Sequence, residues 1–84
     1  MKKRKLLRRV VSSPKNIRFK ELVALTEAFG FRLNRIAGSH HIFSHEDIPE
    51  IVNLQDADGK AKPYQIRQLL KLVERYNLTL EDER

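Results

Sequence analysis

The chain contains no cysteine. That excludes a disulfide framework and a thiolate metal site, and it fits a reducing, cytoplasmic setting. No apolar run approaches the ~20 residues of a membrane span, so no membrane partner is expected. The charged first residues are not followed by the apolar segment of a secretory signal. Residues 2–9 (KKRKLLRR) also lack any acid. They hold six basic side chains, while the rest of the chain balances eleven basic against eleven acidic ones. The net charge of +6 therefore belongs to one short stretch. Such a block attracts phosphates without reading sequence, or serves as a solvated end. The 84 residues suffice for one domain with its own core.

What is present falls into three parts: a basic extension (1–15), a folded domain (16–78) and an acidic tail (79–84). In the extension, Ser12, Ser13 and Pro14 stop any helix that starts earlier. Leu6, Leu7, Val10 and Val11 have helical spacing, so a short amphipathic helix packed on the domain is one reading. A loose arm that can be removed without harm to the fold is the other. Residues 17–29 place Phe19, Leu22, Val23, Leu25 and Phe29 on one helical stripe, with Asn16 as its cap and Gly30 as its left-handed stop. The stretch FRLNRIAGSHHIFSH reads as a hairpin: strand 31–36, turn 37–39, strand 40–45. Phe31 and Leu33 share one face and Ile36 falls on the other, which a bulge near the turn would reconcile. Residues 48–54 read as a third strand with Pro49 near its start, and 55–62 as a polar loop. Pro63 suits a first helical position. A helix over 63–76 then buries Ile66, Leu69, Leu70 and Val73 and stops at Asn77. The order α-β-β-β-α predicts an α+β fold, with two helices on one face of a three-stranded antiparallel sheet and the other face open. That is the layout of a double-stranded-RNA-binding-like domain.

Gly38-Ser39-His40-His41-Ile42-Phe43 brings together two of the three histidines. Strand neighbours point to opposite faces, so His40 sides with Ile42 and Ser44, and His41 with Phe43 and His45. His41 and His45 would lie about 13 Å apart at ~3.3 Å per residue, too far to share an ion. No metal site and no cofactor are expected. Ser39 lacks the G-x-S-x-G frame of a nucleophile elbow and reads better as a turn serine. Histidine titrates near neutrality and can both take and give a proton. RNA brings its own nucleophile, the 2′-hydroxyl, so one well-placed imidazole with cations to steady the phosphorane would serve its cleavage. The plainer reading is a half-buried polar residue in a hairpin.

The chain resembles the HicA family, the toxin half of HicA–HicB toxin–antitoxin pairs. The resemblance runs over about residues 16–78. It is carried by Phe29-Gly30-Phe31, Leu33-Asn34-Arg35-Ile36, Gly38-Ser39-His40-His41-Ile42-Phe43 and Ile66-Arg67-Gln68-Leu69-Leu70. It implies a ribosome-independent mRNA endonuclease whose active histidine directly follows Gly-Ser, here His40, and a HicB-like antitoxin that covers the histidine face. Lys60-Ala61-Lys62-Pro63-Tyr64-Gln65 departs from the Pro-x-Gly-Thr common in the family. Glu46, Asp47, Glu50, Asp56 and Asp58 make the middle of the chain acidic for an RNA binder.

Candidate RNA contacts are Arg32 and Arg35 before the turn, Ser39 and His41 beside His40, Lys60 and Lys62 ahead of a helix N-terminus, and Arg67 and Lys71 on the last helix. Each cation also reads as a solvated charge. The alternative to an mRNA-cleaving toxin is a binding module of the same fold without catalysis. A third class is a silent remnant that only binds an antitoxin.

Overall fold

The computed structural model describes residues 2–81. Its elements are α1 (Lys3–Ser12), a 3-10 turn (Pro14–Asn16), α2 (Phe19–Ala28), β1 (Arg32–Ala37), β2 (His40–Ser44), β3 (Val52–Gln55) and α3 (Pro63–Arg75). The strands form one antiparallel sheet in the order β1-β2-β3. Among the described residues no helix is long and apolar enough to cross a membrane.

The core lies between the sheet and the helices. Leu22 and Leu25 of α2, Ile66 and Leu69 of α3, and Phe43, Val52 and Leu54 of the sheet form one buried cluster. The predicted α+β layout is therefore the observed one. The basic extension is more than an arm. Val10 of α1 is 0% exposed, and Leu6 is buried in the same cluster. Its arginines and lysines lie on the other side of the stripe, so charge and packing share ten residues. Ser12 Oγ donates to the Arg8 carbonyl at 2.8 Å, and Pro14 begins the 3-10 turn.

Helix α2 starts two residues later than the Asn16 cap predicts. Ile17 is drawn out to accept a hydrogen bond from Ala61 N–H (3.0 Å), and Phe19 N–H donates to Gly59 (2.9 Å). Ile17 is buried in the process. Arg18 then becomes the cap residue, and Glu21 Oε1 accepts its backbone N–H at 2.9 Å. The helix ends at Phe29-Gly30, with Gly30 at φ +95°. Space demands glycine there as well: a Cβ would sit 2.7 Å from Glu81 Oε2 and 2.9 Å from His45 Nε2.

The bulge is at Asn34, inside β1, and not beside the turn. Leu33 pairs with Phe43 and Arg35 with Ile42, so Asn34 is the extra residue. It returns Ile36 to the face of Leu33, opposite His41. The helices do not reach over β1, and Leu33 and Ile36 remain 44% and 56% exposed. The third strand is shorter than residues 48–54. The chain turns after His45, with Ile48 N–H donating to its carbonyl, and Pro49 follows before β3 begins at Val52. Glu50 in this connection accepts hydrogen bonds from Tyr76 Oη (2.5 Å) and Arg75 Nη1 (3.1 Å). Asn77, at φ +52°, ends α3 as predicted. In the acidic tail, Leu80 packs on the core and Glu81 N–H donates to Ala28. The rest of that tail, 82–84, lies outside the described residues.

Candidate functional site

Cross-strand partners share a face, and this sorts the sheet cleanly. The pairs His41–Leu54, Phe43–Val52, Leu33–Phe43 and Ile36–His41 belong to the helix side. The pairs His40–Gln55, Ile42–Asn53, Arg35–Ile42, Arg32–Ser44 and Ala37–His40 belong to the open side. The open face is thus polar and cationic around one exposed imidazole.

His40 owes its position to the turn before it. Ala37 pairs with His40, so Gly38 and Ser39 form a two-residue connection. Gly38 takes φ +62° while Ser39 is not left-handed, the arrangement of a type II′ hairpin turn. A Cβ on Gly38 would meet nothing within 4 Å, so conformation alone calls for glycine here. The Ser39 carbonyl accepts Asp56 N–H at 2.9 Å, which ties the turn to the end of β3. Gln55 Nε2 lies 3.4 Å from Ser39 Oγ. Opposite His40 stands only the methyl group of Ala37, so β1 leaves the ring uncovered.

His40 Nδ1 lies 3.1 Å from Asn53 Oδ1. With the Asn53 carbonyl oxygen as acceptor, this bond belongs to the tautomer that carries its proton on Nδ1 and leaves Nε2 as the acceptor. The imidazolium keeps the same bond, so Asn53 orients the ring in both protonation states. Sequence reasoning missed Asn53. The signal was the alternation Val52-Asn53-Leu54-Gln55, which puts a polar residue on the face of His40.

The other two histidines do different work. The half-buried His41 ring meets Phe19 edge-on, with centroids 4.8 Å apart and planes at 67°. Its Nδ1 is buried with no hydrogen-bond partner. His45 is buried edge-on against Phe31, and its Nδ1 accepts Asp47 N–H at 3.1 Å. His41, a predicted RNA contact, is therefore on the face opposite His40. Among the described residues no group of three His, Asp or Glu side chains is placed to hold a metal ion.

The remaining predicted contacts fall in three places. Arg32 and Arg35 are exposed on the open face with His40. Lys60 and Lys62 precede α3 and are exposed. Arg67 and Lys71 line a cavity of about 470 Å³ with Tyr64 and Gln68 on the outer side of α3. A further residue went unread in the sequence. Gln65, in the first turn of α3, is 1% exposed. Its Oε1 accepts Gln55 N–H (2.8 Å), and its Nε2 donates to the Gln55 carbonyl (3.1 Å). One buried amide thus satisfies both backbone groups at the end of β3.

The sequence model of the family described as HicA toxin of bacterial toxin-antitoxin matches residues 19–74. The chain belongs to the HicA toxin family. The match spans α2, the whole sheet and nearly all of α3, and so contains His40, Asn53 and Gln65. Helix α1 lies outside it, although Leu6 and Val10 complete the core. Membership makes the chain the toxin of a toxin–antitoxin pair, with an antitoxin as its counterpart. No curated protein and no solved structure matches it.

Proposed function

We propose that this HicA-family toxin cleaves mRNA, and that His40 moves the protons. The observation that carries the reading is the exposed His40 ring, held by Asn53 at the turn end of a sheet face that also carries Arg32 and Arg35. The RNA 2′-oxygen attacks the adjacent phosphorus, and His40 Nε2 takes its proton. The bond from phosphorus to the 5′-oxygen breaks, and the leaving oxygen receives a proton from the imidazolium or from water. The products are a 2′,3′-cyclic phosphate and a 5′-hydroxyl. Arg35, paired next to the histidine strand, and Arg32 supply positive charge for the phosphorane. Ser39 shapes the turn, while Lys60, Lys62, Arg67 and Lys71 serve as phosphate contacts farther out. A HicB-like antitoxin neutralises the toxin by covering this open face, in the cytoplasm.

The test is a gel of the purified protein with single-stranded RNA. Cleavage by the parent, its loss in His40→Ala, and resistance of a 2′-deoxy substrate are the expected results. Equal cleavage of the deoxy strand would overturn the mechanism. Activity lost to EDTA and restored by zinc would overturn the metal-free route. Salt-sensitive retention of RNA without cleavage, unchanged in His40→Ala, would make the chain a binding module.

A further inference from the structure

The segment Ile17–Phe19 and the loop before α3 meet as a short antiparallel bridge. Phe19 N–H donates to Gly59 and Ala61 N–H donates to Ile17, which sets Arg18 directly opposite Lys60. Two like charges placed opposite each other destabilise such a pairing. Lys15 joins them around a cavity of about 150 Å³, whose other lining residues are Asn16 and Ile17. No acid lines it. Glu21 and Asp56, close in sequence to Arg18 and Lys60, have other partners. Glu21 is held by Arg9 of α1 at 2.6 Å and accepts the backbone N–H of Arg18. The Asp56 carboxylate accepts Gly59 N–H at 2.6 Å. Glu21 thus divides its charge between Arg9, its hydrogen-bonded partner, and Arg18. Three exposed cations converge on a small cavity whose lining, among the described residues, holds no acid.

We propose that the cavity lined by Lys15, Arg18 and Lys60 is a phosphate-binding subsite that grips the RNA backbone away from the scissile bond. The ligand is a phosphodiester group: arginine presents its planar fork to phosphate oxygens and the lysines act as point charges. The backbone N–H groups of Arg18, Phe19, Lys60 and Ala61 are all engaged within the protein, so the side chains provide the grip. The subsite connects to His40 by a short route. Ser39 accepts Asp56 N–H, Asp56 closes the turn at Gly59, and Lys60 follows. The loop that carries Lys60 is thus tied through Asp56 to the turn that carries His40. The assignment to RNA rests on the ribonuclease reading of His40; the affinity for phosphate does not.

The experiment uses the full chain carrying His40→Ala, labelled with 15N, and titrated first with inorganic phosphate and then with a short single-stranded oligoribonucleotide. Both are expected to shift the amides of residues 15–19 and 59–61. Lys15→Gln with Arg18→Gln should abolish those shifts. It should also weaken oligonucleotide binding and flatten the slope of log affinity against log salt by about 1.4, ~0.7 for each lost charge. Lys20→Gln, an exposed cation outside the cavity, should leave the shifts in place. If the oligonucleotide moves the open sheet face but not these amides, the subsite is overturned and the ribonuclease reading stands. If phosphate moves these amides while the parent protein cleaves no RNA, the subsite stands and the ribonuclease reading falls. Shifts produced by polyglutamate but not by phosphate would overturn the subsite in favour of an acidic protein partner.

Discussion

His40 and His41 are joined by one peptide bond, yet the first is exposed beside Asn53 and the second leans edge-on against Phe19. Strand parity alone separates them. On the open face the alternate positions carry histidine, asparagine, glutamine and arginine, with Ile42 and Ala37 as the apolar exceptions. On the covered face the same strands supply Phe43, Val52 and Leu54 to the core. The difference teaches that a histidine pair in a motif is not one chemical unit. Its first member is exposed on the open face and its second packs against the core.

The largest effect should come from the open face. His40→Ala should lower RNA cleavage by ~10²–10⁴-fold, the usual contribution of a positioned acid–base group. Its circular dichroism and melting temperature should match the parent; a lost fold would merge the two faces into one role. The covered face is broken from further away, through α1. Leu6→Ala should destabilise by ~2–5 kcal/mol. At about 4–8 °C per kcal/mol for a domain of this size, thermal unfolding would show it directly. An unchanged melting temperature would return α1 to the status of a loose arm. By the same logic, removing residues 1–13 should unfold or strongly weaken the protein.

Smaller effects sharpen the contrast. Asn53→Ala should slow cleavage by roughly tenfold through loss of one hydrogen bond to a group that becomes charged, with little change in RNA affinity. A change in affinity instead would make Asn53 an RNA contact. His41→Phe removes the buried Nδ1 that has no partner and keeps a ring against Phe19. Stability should rise by about 1 kcal/mol, since a buried polar atom without a partner is costly, and cleavage should persist. Loss of cleavage with a raised melting temperature would give His41 a part in the chemistry. The smallest effect is on pH. The Arg9 guanidinium, with help from Arg18 N–H, holds Glu21 below the ordinary value of 4.5. The Tyr76 hydroxyl, ahead of Arg75, does the same for Glu50. Each folded-state value is depressed, so its stabilising contribution is present above the unfolded value and lost as pH falls through the folded one. The melting temperature should drop modestly below about pH 4.5, and less steeply in Glu21→Gln.

Much of this could be read from the residues because the strong signals were local. Phe19, Leu22 and Leu25 mark one helix, Ile66 and Leu69 another, and Gly30, Gly38, Pro63 and Asn77 sit at the breaks they predict. The register was not legible. Whether His40 or His41 faces water depends on pairings across the sheet, and Asn34 carries no mark of the bulge it forms. The Asn16 cap failed because a tertiary bridge to Ala61 holds Ile17 extended. Helix α1 was hard to weigh because its five cations concealed a stripe of four apolar residues. Asn53 and Gln65 escaped notice for a shared reason: in a strand or a helix an amide reads as solvent-facing, and only the fold shows what it touches.

Gln65 has a consequence for how the sheet breathes. A terminal strand normally leaves its outer amides to exchange with water at the pace of local fraying. At Gln55 the side chain of Gln65 stands where a fourth strand would be, donating and accepting in the same pattern. The Gln55 amide hydrogen should therefore exchange slowly with deuterium, as if it lay mid-sheet, and releasing it requires α3 to lift at its first turn. Any foreign strand that sought to lengthen the sheet from this side would have to dislodge a helix first, whereas at β1 it would meet no such latch.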